Sequence, residues 1–502
     1  MTISAQPLIS RAPAGAVRFD GAAFWPAIAA LTALSLALRQ AGLTPDVSWL
    51  LDMCQRMLNG ETAYVDIFET TPPVPALLYM PGALIANATG IGAGAAVYAT
   101  VYAAILFALY ISDRILPRSL SGAGSSRLVV IAPAAVFLFF LCNDAFAQRE
   151  HLAAAFALPM ACVFISRAET GDWPAFSLCI LAAVLAGFCA AIKPPLFITP
   201  GVALAVYYLW RHRSIVFLWR SGLVIAGAVF VLLTALSLLA FPAYLDGVAP
   251  LMRDIYVPVR STVLLGLTSK EFIGVTVFLL FALRKKPSPA TAVFSVLAAA
   301  FTAVYFAQGK YFPYHLYPAS FFAGLAFAFS LAETLRSDAG TFAKENRIFA
   351  AALAVMTIIL AGGVYETYDD RRPRMHDRAW TEGLDRPTAL AISTNIAIAF
   401  PLAQEIGAVW VDRIHSQWVV LYADAGLEQK DLTAEQQAMF QSYYDAEIDR
   451  IMERIRETKP DIIIRGHTFA PLNEEILKRD PHLLDDYASV ARQGVIEILK
   501  RN

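Results

Sequence analysis

"VDIFETTPPVPALLYMPG", residues 65–82, opens with two carboxylates, Asp66 and Glu69, passes through a Thr-Thr-Pro-Pro turn and becomes apolar without a pause. Acids at the lip of a greasy segment belong at a boundary between water and lipid, because ionised groups resist leaving water and apolar runs resist entering it. The rest of the chain agrees. Of its 502 residues 57% are hydrophobic and only 16% charged, against roughly one quarter charged in soluble domains. The fold class is a polytopic α-helical membrane protein. A net charge of -1 gives no electrostatic case for a nucleic-acid partner.

Stretches near the ~20 apolar residues that cross a bilayer fall at 22–40, 92–112, 129–142, 151–167, 175–191, 196–210, 221–242, 263–283, 290–307, 315–332 and 348–364, so about eleven transmembrane helices are expected. Orientation follows from the loop cations. One set of alternate loops holds Arg11, Arg18, Arg114, Arg118, Arg127, Arg167, Arg211, Arg213, Arg220, Arg284, Lys285, Lys286, Arg336, Lys344 and Arg347; the other holds Arg56, Arg149, Lys193, Arg253, Arg260 and Lys310. The richer set belongs in the cytoplasm. The expected location is a bacterial inner membrane, crossed many times, with the N-terminus cytoplasmic, the first loop (41–91) periplasmic and the C-terminus periplasmic as well. The first apolar stretch reads as an uncleaved helix, being too long for a signal-peptide core. Four of the five cysteines lie in or beside apolar segments and Cys54 stands alone in a loop, so no disulfide framework or metal-ligand spacing is evident.

Composition changes after Val364. "YETYDDRRPRMHDRAW" is polar, and beyond it "TALAIS", "VWVD" and "KPDIIIR" read as strands, while residues 433–458 carry helical apolar spacing behind a Thr cap. The expected division is a transmembrane domain, 1–364, and a C-terminal extracytoplasmic α/β domain, 365–502. In the first loop, "DVSWLLDMCQRMLNG" is amphipathic and suits a helix lying in the interface, and residues 74–89 suit a second.

These residues carry a resemblance. Asp46 just past the first helix, a helix ending in "MLNGETAYVD", and "ETTPPVPALLYMPG" together resemble the GT-C superfamily of polyprenyl-phosphate-sugar-dependent glycosyltransferases, in particular the bacterial aminoarabinose, galacturonosyl and protein O-mannosyl transferases. Thr71 stands where that pattern has Asn, and Val74 where it has Leu. The resemblance implies a polyprenyl-phosphate-linked sugar as donor, an acceptor hydroxyl on a cell-envelope glycolipid or polysaccharide, inversion at the anomeric carbon, and Asp46 as catalytic base with Glu69 beside it. Spacing alone also allows Asp46 to cap the helix that follows, and Glu69, Asp66 and Glu61 to be surface carboxylates. A divalent metal held by two carboxylates stays open, as does a metal-free site.

An acceptor hydroxyl needs a base, and a carboxylate is the usual one in sugar transfer. The leaving phosphate needs cations. The sparse cations of the outer loops form the pool for donor phosphate: Arg149 and His151 in "NDAFAQREHLAAAF", Lys193 in "AAIKPPLFITP", Arg253 and Arg260 in "YLDGVAPLMRDIYVPVRSTV", and Lys310 and His315 in "FAQGKYFPYHLYP". Asp66, Tyr311 and Tyr314 are candidates for binding sugar or acceptor. Each has a plainer reading: Arg149 can neutralise Glu150 in an ion pair of no further use, Lys193 can snorkel, and the tyrosines can belong to an interfacial aromatic belt. The rival class is a lipid-linked-sugar flippase or other transporter, which the lack of internal sequence symmetry disfavours. The orientation has a direct test. In a cysteine-free background, Asp46→Cys should react with a membrane-impermeant maleimide applied from outside intact spheroplasts; labelling only after lysis would invert the topology.

Overall fold

The computed structural model describes residues 23–39, 42–194, 196–337, 375, 377–429 and 431–502. Helices occupy ten of the expected apolar stretches, and the eleventh, 348–364, lies outside the described residues together with the boundary at 364. Among the described residues five helices are long and apolar enough to cross a membrane: Ala93–Ile115, Arg149–Thr170, Leu223–Ala240, Pro289–Gln308 and Pro313–Arg336. Others are shorter than their apolar stretches predict. The 263–283 stretch is two helices, Val263–Thr268 and Lys270–Ala282, because Ser269 adopts an extended backbone and its hydroxyl accepts from the Phe272 N–H, starting a new helix.

Two helices show the two solvents. Arg149–Thr170 is buried without interruption from Glu150 to Ser166, so protein surrounds it on every side. Its alanines permit that close packing. Leu223–Ala240 is more apolar and turns outward, with Val231, Leu232, Leu236 and Leu239 between 54% and 77% exposed, as expected for a helix facing lipid. It is held from behind at Gly187, where an added Cβ would lie 2.6 Å from the Val229 side chain and 2.9 Å from the Ala226 carbonyl oxygen.

The C-terminal part contains a five-stranded mixed sheet in the order Val409–Trp410, Thr388–Ile392, Ile462–Gly466, Ile496–Arg501, Tyr487–Gln493. The first three strands pair in parallel, and Ile496–Arg501 pairs antiparallel with both of its neighbours. Strands at "TALAIS", "VWVD" and "KPDIIIR" match the sequence reading, as does the helix Ala434–Thr458, which begins with a reciprocal cap between Thr433 and Gln436. The closing hairpin is an addition that the sequence reading lacks. Gln493 pairs with Ile496 across Gly494, whose φ of +58° suits the tight turn. One face of the sheet packs Leu390, Ile392, Ile463 and Leu499 against Ile448, Ile451 and Ile455 of the helix Ala434–Thr458.

This unit docks on the first loop. Ser48 and Gln404 exchange hydrogen bonds, Arg56 donates to the Asp412 carbonyl at 2.9 Å, and the Phe68 N–H donates to the Arg413 carbonyl at 2.6 Å. Trp49, fully buried, meets Phe400 and His415 edge-on at 5.4 Å each. The helix contact at Gly187 predicts that Gly187→Val costs about 1–3 kcal/mol by overpacking, read as a lower unfolding midpoint in detergent; an unchanged midpoint would mean the two helices are not this close.

Candidate functional site

The site is built at the N-terminal end of the buried helix Arg149–Thr170. Ala147 takes a left-handed conformation with φ +61°, and Gln148 is the extended residue preceding the helix. His151 locks this turn. Its Nδ1 accepts from the Ala147 N–H at 3.1 Å, which leaves Nε2 protonated to donate to the Leu138 carbonyl at 2.9 Å. Both ring nitrogens are therefore committed to backbone, and His151 has none to offer a phosphate.

The turn aims three consecutive side chains at the first loop and its neighbours. Gln148 Nε2 donates to Asp46 Oδ2 at 3.0 Å. Asp46 lies in the first turn of the helix Pro45–Leu58 and makes no cap; Thr44 precedes that helix, and neither caps it with a side chain. Arg149 Nη1 donates to Thr71 Oγ1, the position where the family pattern has Asn. Glu69 is buried beside it and accepts from Trp49 Nε1 at 2.5 Å and the Thr71 N–H at 2.6 Å. Glu150 is fully buried and pairs with Lys193, whose ammonium also donates to Gln308 Oε1 at 2.8 Å. His315 Nε2 lies 3.8 Å from the same Glu150 oxygen. Tyr314, edge-on against His315 at 4.6 Å, is close enough to feel the charges of Asp46, Glu150 and Arg149.

Asp46, Glu69, Arg149, Lys193, His315 and Tyr314 thus converge. The other candidates do not. Arg253 is exposed and pairs with its neighbour Asp254. Arg260 is exposed, donates to the Ala307 carbonyl at 2.7 Å and lies over Gly309. Asp66 is exposed and accepts from the Thr62 N–H within its own turn. Tyr311 is buried against Gly266, Tyr305 and Phe306, so its ring belongs to a wall. Lys310 donates to the carbonyls of Tyr256 and Val259 and rests between the Tyr256 and Tyr422 rings, 4.0 and 4.4 Å from their centroids. Burial, with help from Arg260, lowers its pKa to about 8. It fastens the Trp418–Leu427 helix to the membrane part at the rim of the site. Asp52, in the helix Pro45–Leu58, is half-buried, and burial pushes its carboxyl up to about 7.

No family model and no curated protein sequence matches the chain. Solved structures do. ArnT from Cupriavidus metallidurans bound to undecaprenyl phosphate superposes with a TM-score of 0.55 at 13% identity, covering 95% of this chain and 97% of that one. The apo state of ArnT gives 0.54 at 14% identity, covering 95% and 96%. The chain has a GT-C fold.

Within the GT-C fold the site carries unspent hydrogen-bonding capacity. Gln148 Oε1, Arg149 Nε, Glu150 Oε2 and His315 Nδ1 are all buried and have no hydrogen-bond partner among the described residues. Four such atoms in one cluster mark a place that a polar ligand or water completes, since orphaned buried groups are costly. Among the described residues no group of three His, Cys, Asp or Glu side chains could hold a metal ion. Sequence reasoning missed Gln148, Gln308, Trp49 and His415 as site residues. Gln148 stands next to a singled-out Arg, but nothing in the sequence joins it to Asp46, 102 positions away. The Glu150–Lys193 pair makes a prediction. Lys193→Met leaves a carboxylate buried without its cation and should lower stability by about 3–5 kcal/mol, whereas adding Glu150→Leu should recover most of it; equal midpoints for the two variants in detergent unfolding would show that Glu150 is not held by Lys193.

Proposed function

We propose that this protein is a membrane glycosyltransferase that moves a sugar from a polyprenyl-phosphate donor to a hydroxyl of a cell-envelope glycolipid or polysaccharide. The observation that carries the reading is the convergence of Asp46, Glu69, Arg149 and Lys193 at one end of a helix buried inside a GT-C fold. That ArnT holds undecaprenyl phosphate in the same fold supports a lipid phosphate here. The accompanying arrangement is eleven crossings with a cytoplasmic N-terminus, a transmembrane domain to residue 364 and a periplasmic domain from 365 that covers the site.

The chemistry follows from charge. The acceptor oxygen attacks the anomeric carbon from the side opposite the phosphate, the anomeric C–O bond breaks, and polyprenyl phosphate leaves as an anion. Asp46 takes the hydroxyl proton. Gln148 holds one Asp46 oxygen and leaves the other for that proton. Arg149 and Lys193 supply positive charge for the leaving group, which favours an anion without needing to protonate it. Glu69 orients the loop through Trp49 and Thr71 and so keeps Arg149 in place. An inverted anomeric centre is the expected stereochemical result.

Asp46→Asn keeps the size and the contact with Gln148 but removes the base. It should fold normally and lose about 10²–10⁴-fold in sugar transfer, measured as polyprenyl phosphate released and product formed. Wild-type turnover in this variant would remove the base assignment. A wild-type protein that moves lipid-linked sugar across vesicles without releasing polyprenyl phosphate would replace transfer with transport.

A further inference from the structure

The C-terminal domain places one polar side chain against this machinery. His415 follows three residues pinned in succession: the Asp412 carboxylate is held by Arg450 at 2.6 Å while its carbonyl accepts from Arg56, the Arg413 carbonyl accepts from Phe68, and the Ile414 carbonyl accepts from Trp410 Nε1 at 3.1 Å. Ile414, Ser416 and Gln417 around it are buried, whereas His415 is half-buried. Its ring lies edge-on to Trp49, the same indole that donates to Glu69. Nδ1 is paired with Ser416 Oγ at 2.8 Å, and Nε2 makes no hydrogen bond among the described residues.

Such a chain of anchors holds an imidazole in one orientation, as a functional group needs and a surface residue does not. Both Glu69 and Asp46 are near enough for their charges to act on the ring, while burial opposes the imidazolium and pulls the pKa below its ordinary value. The neutral ring offers one nitrogen to a hydroxyl. The direction of approach narrows what that hydroxyl belongs to. The apolar tail of a lipid-linked donor keeps to the apolar helices, whereas His415 belongs to the C-terminal unit that docks on the first loop.

We infer that His415 is an acceptor-binding residue whose Nε2 holds a hydroxyl of the incoming saccharide beside Asp46. This rests on the transferase reading above. It gives the C-terminal domain a share in the choice of acceptor, and it separates acceptor binding from donor binding by domain.

The two ring nitrogens have separate isosteres, which makes the idea testable without identifying the acceptor. An Asn amide reproduces the Nδ1 position and keeps the contact to Ser416; a Gln amide reaches the Nε2 position. Purified full-length wild type, His415→Asn and His415→Gln would each be added to membranes from a deletion strain, which contain native donor and acceptor. Polyprenyl phosphate released and envelope glycoconjugate formed are then counted by mass spectrometry. The yield of glycoconjugate in a fixed time, with polyprenyl phosphate released in step with it, should fall about tenfold in His415→Asn and return to within about threefold of wild type in His415→Gln, the size of one lost hydrogen bond. Equal yields for all three proteins, or better function with Asn than with Gln, would overturn the role of Nε2. If wild type releases no polyprenyl phosphate, the transferase reading itself falls and this inference with it.

Discussion

Glu150 and Lys193 oppose each other at the mouth of a helix that has no solvent-facing side. Neither charge is tolerable alone in such a place, so the helix end, the Lys193 turn and Gln308 must be positioned together. Arg149, one residue earlier, is tied the other way, to Thr71 in the first loop, and Gln148 to Asp46. Three adjacent residues thereby join the buried helix to the acidic loop and to the helix Pro289–Gln308. The turn that makes this possible is held by His151, whose value lies in fixing backbone.

The compensation is incomplete, and that is chemically informative. A structural ion pair would have all its polar atoms satisfied, yet Glu150 Oε2, Arg149 Nε, Gln148 Oε1 and His315 Nδ1 find no partner among the described residues. Protein interiors rarely leave such a cluster unpaired, so a polar ligand or water completes it. Acids and bases are also mixed: Asp46, Glu69 and Glu150 stand among Arg149 and Lys193. The C-terminal unit docks on the first loop through Gln404, Asp412 and Arg413 and sets His415 against Trp49, the indole that donates to Glu69.

Much of the site is legible in the residue order. Asp46, Glu69, Arg149, Lys193 and His315 are visible there because each is an ionisable group beside an apolar run, where membrane depth makes charge expensive. The same rule over-selects. Arg253, Arg260 and Asp66 obey it but find water or a neighbouring charge, and Lys310 and His151 satisfy themselves on backbone carbonyls or amides. Linear proximity to a helix mouth cannot say whether a side chain points into the cluster or along the surface. Three strands and the long helix of the C-terminal part are readable from periodicity, whereas the final hairpin lies in "YASVARQGVIEILKR", whose alternation is weak on one strand.

By itself the sequence determined the solvent: its apolar runs, their lengths and the uneven distribution of cations follow from transfer free energies that act residue by residue. It also named candidate site residues, because charges near lipid are rare enough to notice. Only the tertiary structure decided which of them meet. The contacts between Asp46 and Gln148, Arg149 and Thr71, Glu150 and Lys193, and Trp49 and His415 span 43 to 366 positions along the chain, and pairing at such separations is set by how helices and sheet pack, which no local pattern encodes.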